Sequence, residues 1–487
     1  MIRPIVDMSI VRPRRPVKPS HLAGMLSMLL LSGCASFSPD GGMAMVAGIA
    51  GEAIKSDVVS IRTTEDVQWA SDRVRLLLAR PLTVNAALQV ALLNNRGLQA
   101  AYNELALAET DMVRDGLLPN PTFSISRIAG DGAVEIERQI VGDILALATL
   151  PFRSDIARER FRKAQLRAAE ETLRLAAEVR RTYHRAVAAN ELVELLTDAK
   201  STAESTAQLA LKLGQTGALN KLDQAREQVF YAETTAELAT LRQDATSLRE
   251  RLVRLLGLWD TELGFRMPNR LLALPGRPLQ LPFIEIDAVK HRLDLQISRI
   301  ELAALAKSLD LTEASRFVTL LDVAGIDRKT TDPQSAPFRE RGFDVQFQIP
   351  IFDGGEVRVR QAAETYNQAF NRLTEKAVSV RSEARDAYRV YRSTYDISAH
   401  FQREVLPLRK IISDETQLRF SSMQIDVFAL LTEARQRLAS LRSAIEAKRD
   451  FWLAQSDLNT AVNGGGTSDN PGQSRLSTAA RAAVGGH

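Results

Sequence analysis

The sequence predicts a mainly α-helical, internally duplicated chain of long antiparallel helical hairpins with four short β-strands. Three observations predict it. Residues 152–213 and 356–406 contain neither glycine nor proline, so each can run as one helix, about 90 and 75 Å long at 1.5 Å per residue. Short segments of alternating apolar and polar residues precede both runs. The order of elements in the first half then recurs in the second.

Composition narrows the class. Hydrophobic residues make up 45% of the 487, and a mean hydropathy of −0.13 excludes a polytopic helical membrane protein. The pI near 9.2 suggests nucleic acid until the charge is located. Arg3, Arg12, Arg14, Arg15 and Lys18 stand against Asp7 in the first 33 residues, which accounts for the whole net charge of +4. The remainder is near neutral, so no nucleic-acid partner is expected. The basic segment precedes an apolar core, LAGMLSMLLL (22–31), too short to span a bilayer as a finished helix. Leu31, Ser32, Gly33 and Cys34 then resemble a bacterial lipobox. That resemblance implies a signal peptide over 1–33, a covalent lipid on Cys34 and, with Ala35 following, the outer membrane. Cys34 is the only cysteine, so there is no disulfide framework.

Residues 34–80 read as a lipidated, extended N-terminal arm. From Pro81 the pattern is regular: Thr83 is a helix N-cap, and a helix runs to about Leu118. PNPT (119–122) forces extended backbone. Two strands follow, with Phe123 and Ile125 alternating in the first and Val134, Ile136 and Ile140 in the second. Gly130, Asp131 and Gly132 suit the hairpin between them. Pro151 leads into the first long helix, where Ala168, Leu175, Val179, Ala186, Ala189, Val193 and Leu196 form a coiled-coil seam. LGQTG (213–217) turns the chain, Asn220 caps the next helix, and Asp223 takes the capping-box position. That helix ends near Leu256, and 258–283 is a connector.

The repeat begins there. Leu98, Gln99 and Glu104-Leu105-Ala106 match Leu295, Gln296 and Glu301-Leu302-Ala303, and EVRRTY (178–183) matches EARDAY (383–388). Strands are expected at 317–326 and 343–349. Pro350 ends the last one, and Asp353, Gly354 and Gly355 turn it into the second long helix. The second helical turn lies at 421–424, with Asp426 in the N-cap place that Asn220 holds in the first copy. The organisation is thus repeat 1 over 81–257, repeat 2 over 284–463, and a disordered tail over 464–487. A medium and a shorter helix together match one long helix, so they are expected to stack end to end and give four helical columns. Strands of 7–11 residues suit a tilted membrane crossing. Four are too few to close a barrel, so a membrane location requires oligomerisation.

In order and spacing, LLPNPTFSIS, LGQTGALNKLDQAR, IPIFDGG and FWLAQSDLNTAV resemble the TolC-type outer-membrane efflux channel family across nearly all of 81–463. The resemblance implies a homotrimer with a β-barrel in the outer membrane and an α-helical tunnel in the periplasm. It also implies a periplasmic adaptor docked at the helical turns and, through it, an inner-membrane pump. Gly214, Gly217, Asn220, Asp223, Ser422, Met423 and Asp426 would form that tip and the gate, with Asp223 and Asp426 attracting cations. Two positions depart from the pattern: Met423 replaces a glycine, and Pro151-Phe152-Arg153-Ser154 stands where an aspartate–glycine turn is expected. No nucleophile elbow, phosphate loop or paired histidines occur, so no enzyme, no metal site and no cofactor beyond the lipid on Cys34 are expected. The expected function is passive export of drugs or metal ions. The alternatives are an outlet for type I polypeptide secretion and, in another class, a structural periplasmic spacer without a pore.

Overall fold

The computed structural model describes residues 37–130, 132–332 and 336–464. The signal peptide, Cys34 and the tail beyond Gly464 lie outside the described residues. Twelve-residue α1 (Met43–Ile54) and α2 (Thr64–Leu78) come first, then α3 (Val84–Asn94) and α4 (Arg96–Gly116). A hairpin of β1 (Thr122–Gly130) and β2 (Ala133–Asp143) leads to α5 (Ile144–Gln215) and α6 (Lys221–Leu256). The second copy repeats this order as α7 (Ile284–His291), α8 (Leu293–Ala314), β3 (Leu320–Thr331) and β4 (Phe338–Gln348). It closes with α9 (Glu356–His400), a π-helical turn (Phe401–Val405), α10 (Leu406–Ser421) and α11 (Val427–Asn463).

The columns form as expected, and the joints are visible. The end of α6 abuts the break between α3 and α4: the amide nitrogens of Asn94 and Asn95 donate to the Gly257 and Leu255 carbonyls at 2.8 and 2.9 Å. Gly257 has φ 67°, and a Cβ there would meet the Asn94 carbonyl oxygen at 2.6 Å, so only glycine fits. The same joint recurs where Gly464, ending α11, meets the break at Arg292 between α7 and α8. Asn95 serves twice, since its side chain also caps α4 through the Leu98 amide. The stacked pairs α6–α4 and α11–α8 flank α5 on its two sides, and α9–α10 packs along the second pair. Alanines and small apolar residues of the expected seam, among them Ala168, Val179, Ala186, Ala189 and Leu196, are buried along α5.

Four expectations need correction. The arm is not simply extended. Met43, Val46, Ala50 and Ile54, spaced by three and four, bury one face of α1 against α3, α4 and α5. The Thr63 hydroxyl and Asp66 carboxylate form a reciprocal capping box that starts α2. Pro151 does not precede the first long helix but lies inside it, because Asp143 caps α5 eight residues earlier by accepting from the Ala146 amide at 2.7 Å. Residues 151–154 are therefore helical, and the first copy needs no glycine turn. The second long helix likewise continues past Leu406 and through Pro407. The wider π turn immediately before it relieves the clash that a proline ring makes with the carbonyl four residues back. The connector is part of the core: Leu258, Phe265 and Leu271 pack with α2, α3, α5 and α6.

Candidate functional site

All four strands form one antiparallel sheet in the order β1-β2-β3-β4, with β1 and β4 as open edges. They have 9, 11, 12 and 11 residues, longer than the alternation suggested, and long enough to cross a bilayer at a tilt. The pairing Phe123↔Ile140, Ile140↔Gly325 and Gly325↔Phe343 places one set of residues on one face. Near the helices that face is apolar: Phe123, Ile140, Val323, Phe343, Val345 and Phe347 are all exposed. Ile349, Ile351 and Phe352 extend it below the sheet. The opposite face carries Ser124, Ser126, Gln139, Gln346 and Gln348. It also carries six carboxylates within the paired strands (Glu135, Glu137, Asp143, Asp322, Glu340, Asp344) against the single cation Arg328. Arg328 is bonded to Glu137 at 2.6 Å and Glu135 at 2.8 Å. An apolar face opposite an acidic polar face is the two-sidedness of a membrane barrel wall around water. Among the described residues no helix is long and apolar enough to cross a membrane.

The turn below β4 is built as expected. The Gly354 amide donates to the Pro350 carbonyl at 2.8 Å, and the Asp353 carboxylate accepts from the Gly355 amide at 3.0 Å. Gly354 and Gly355 both have positive φ. Arg316, ending the preceding helix, donates to the Gly354 carbonyl at 2.7 Å. This ties the foot of β3 to the foot of β4.

At the far ends of the long helices the two turns superpose residue for residue. The Ala218 amide donates to the Leu213 carbonyl, and the Gln424 amide to the Arg419 carbonyl. Gly217 and Met423 hold the same left-handed position, with φ 74° and 60°. Met423 is thus a strained residue at a glycine position, and its side chain is almost wholly exposed. Gly214 packs against the Gln224 side chain, and the Ser422 hydroxyl donates back to the Leu418 carbonyl. Asn220 and Asp426 are N-caps, accepting from the Asp223 and Ala429 amides at 2.8 Å each. Asp223 does not complete a capping box. Its carboxylate takes the Asn220 side-chain amide at 2.6 Å and Arg226 at 3.0 Å instead. Both tip carboxylates are therefore engaged locally.

Sequence reasoning missed the ties between hairpins. Over α5, Arg435 of α11 reaches Glu227 of α6 at 2.8 Å, and Arg442 reaches Glu237. Within the second hairpin Arg409 meets Glu433 at 3.2 Å, and between the hairpins α5 holds α11 through Arg181–Asp457 at 2.6 Å.

His184 lies where α5 meets α11, 4% exposed, its ring stacked on Trp452 at 5.3 Å and edge-on to Tyr183 at 5.5 Å. Its Nδ1 has no partner among the described residues. Burial, and then the charge of Arg180, pushes its pKa down to about 4. As pH falls through about 6.5 the unfolded chain takes up this proton, while the folded chain stays neutral to about 4. Stability is therefore lost across that window, by about 3 kcal/mol in full. The melting temperature of the wild type should fall more between pH 7 and about 4.5 than that of His184→Phe. Parallel slopes would show that His184 is hydrated in solution.

No protein-family model matches the chain. It is 25% identical over 314 residues to the cobalt-zinc-cadmium resistance protein CzcC of Cupriavidus metallidurans, covering 62% of this chain and 71% of that protein. The solved structure of CusC superposes with a TM-score of 0.65 at 16% identity, over 81% of this chain and 92% of that one. The Campylobacter jejuni CmeC outer-membrane channel gives 0.67 at 14% identity, over 81% and 88%. With its duplicated columns, its two-faced sheet and these likenesses, the chain has the fold of the TolC-type outer-membrane channels, the family that its motifs resemble.

Proposed function

We propose that the chain is the outer-membrane channel of a tripartite efflux system, a passive conduit for small cations, metal ions among them, and not an enzyme. The observation that carries this reading is the sheet: one apolar face, one acidic face and two open edges. Open edges cannot face lipid, and four strands cannot close a barrel. Three copies joined edge to edge would supply twelve strands, with the carboxylate face lining the water path and favouring cations. The resistance named for CzcC supports metal ions as cargo.

The lipid anchor on Cys34 fits the same geometry. Ser38 bonds through its amide to Glu109 at 2.7 Å, and Glu109 stands seven residues before α4 ends below β1. Four residues span at most about 14 Å, a reach that includes the level where helices give way to strands. The tip supports an adaptor partner, with Leu222, Leu418 and Met423 all exposed, and a pump would couple through that adaptor. Gating is assigned to the same tip residues, Gly214 to Asp223 and Ser422 to Asp426.

Single-channel recording from the purified protein in planar bilayers tests the reading. Cation-preferring openings are expected, with a preference that weakens in Asp322→Asn/Asp344→Asn. Anion-preferring openings would remove the cargo assignment, and protein that never inserts or trimerises would leave the non-channel spacer.

A further inference from the structure

The apolar face of the sheet changes character abruptly towards its hairpin end. Beyond Phe123, Ile140, Gly325 and Phe343, the next rung of that face holds Ile125, Arg138, Asp327 and Arg341, and the rung after it holds Arg127, Ile136, Lys329 and Arg339. Five cations meet one carboxylate. Asp327 holds Arg339 by two bonds of 2.5 and 2.7 Å and lies 3.5 Å from Arg341 and 3.7 Å from Arg138. All five cationic side chains are exposed. Rungs are about 7 Å apart and strands about 4.8 Å apart, so the belt is roughly 15 Å wide on each chain.

The excess is one-sided. At the same height the opposite face pairs Arg328 with Glu135 and Glu137 and adds Glu340, so it is net negative. A sheet end that merely stood in water would have no reason to separate its charges this way. Hydrocarbon rejects such a belt, so it marks the height at which the apolar layer ends, on the side away from the helices.

We propose that this belt binds the phosphate groups of a phosphorylated glycolipid in the outer leaflet. The inference rests on the outer-membrane reading above. Guanidinium groups match phosphate oxygens in a two-bond geometry, and a net charge of +4 per chain complements an anionic headgroup layer. Arg339 takes both oxygens of Asp327, while Arg138 and Arg341 only approach that carboxylate, and Arg341 is the more exposed of the two; Arg127, Lys329 and Arg341 are therefore the residues to test against lipid.

The test uses the purified full chain in phosphatidylcholine nanodiscs doped with diphosphoryl lipid A or with its dephosphorylated form, the retained lipid being counted by native mass spectrometry. The wild type should retain the phosphorylated lipid about tenfold over the other. Arg127→Gln/Lys329→Gln/Arg341→Gln should lose that preference, and Arg328→Gln on the opposite face should keep it. Equal retention of the two lipids by the wild type, or an unchanged preference in the triple variant, overturns the proposal. If the triple variant does not assemble, the wild-type comparison and Arg341→Gln alone decide. Protein that inserts but shows no phosphate preference removes the belt only, whereas protein that never enters the phosphatidylcholine bilayer removes the channel reading as well.

Discussion

Gly355→Ala is expected to destabilise the junction between sheet and helix by about 3 kcal/mol or more. The left-handed backbone, φ 74°, costs an L-residue about 1–2 kcal/mol by itself. The added methyl would also stand 2.3 Å from the Arg316 carbonyl oxygen and 2.9 Å from the Arg316 Cγ. That oxygen is backbone in the turn between α8 and β3, so relief requires moving the foot of β3. Gly354→Ala is the matched control: its φ of 55° carries similar strain, but its nearest neighbour is the mobile Arg316 Nη2 at 3.8 Å. Urea unfolding of the two variants should differ by about 2 kcal/mol, the excess being the overpacking. Equal losses would mean that the turn opens without disturbing Arg316, and that the sheet is not fixed through this contact.

The same comparison shows which features were legible in the chain. Breakers and caps were: Asp353-Gly354-Gly355, the glycine turn at Gly217 and the caps at Thr83, Asn220 and Asp426 all lie where their local chemistry puts them. The duplication was legible because equal tasks need equal residues, whereas the matching joints at Gly257 and Gly464 emerge only from the packing. What failed had non-local causes. The helix at Met43–Ile54 is rich in glycine and alanine, which reads as linker until a groove on α5 is present to bury its one apolar stripe. Pro151 reads as the lead into a helix, yet it lies inside one that the Asp143 cap starts upstream. The cationic belt was invisible because it exists only in register: Arg127, Arg138, Lys329 and Arg341 come from four strands. The tip residues were correctly placed in the turns, but the long-range ion pairs above them depend on which faces of α6 and α11 meet over α5.

One of those pairs gives the second large effect. The Glu227 side chain is 5% exposed, and the Arg435 guanidinium that meets it at 2.8 Å also lies over the Phe230 ring at 4.2 Å. Arg435→Met would leave a buried carboxylate without its partner, which costs about 3 kcal/mol. Glu227→Met/Arg435→Met should recover most of that loss, because two apolar side chains of similar length need no compensation. A thermal-unfolding double-mutant cycle measures the coupling directly. The pair stands about seven to nine residues above the helical turns, roughly 10–13 Å from the tip. On the proposed channel reading, the single variant should therefore also loosen the hairpins near their turns and raise the resting conductance, while the apolar pair keeps it low. Additive losses in the cycle would reduce the contact to a surface ion pair, worth well under 1 kcal/mol. In that case closure must rest on the turns themselves, with the strained Met423 and the locally engaged Asp223 as the residues to change next.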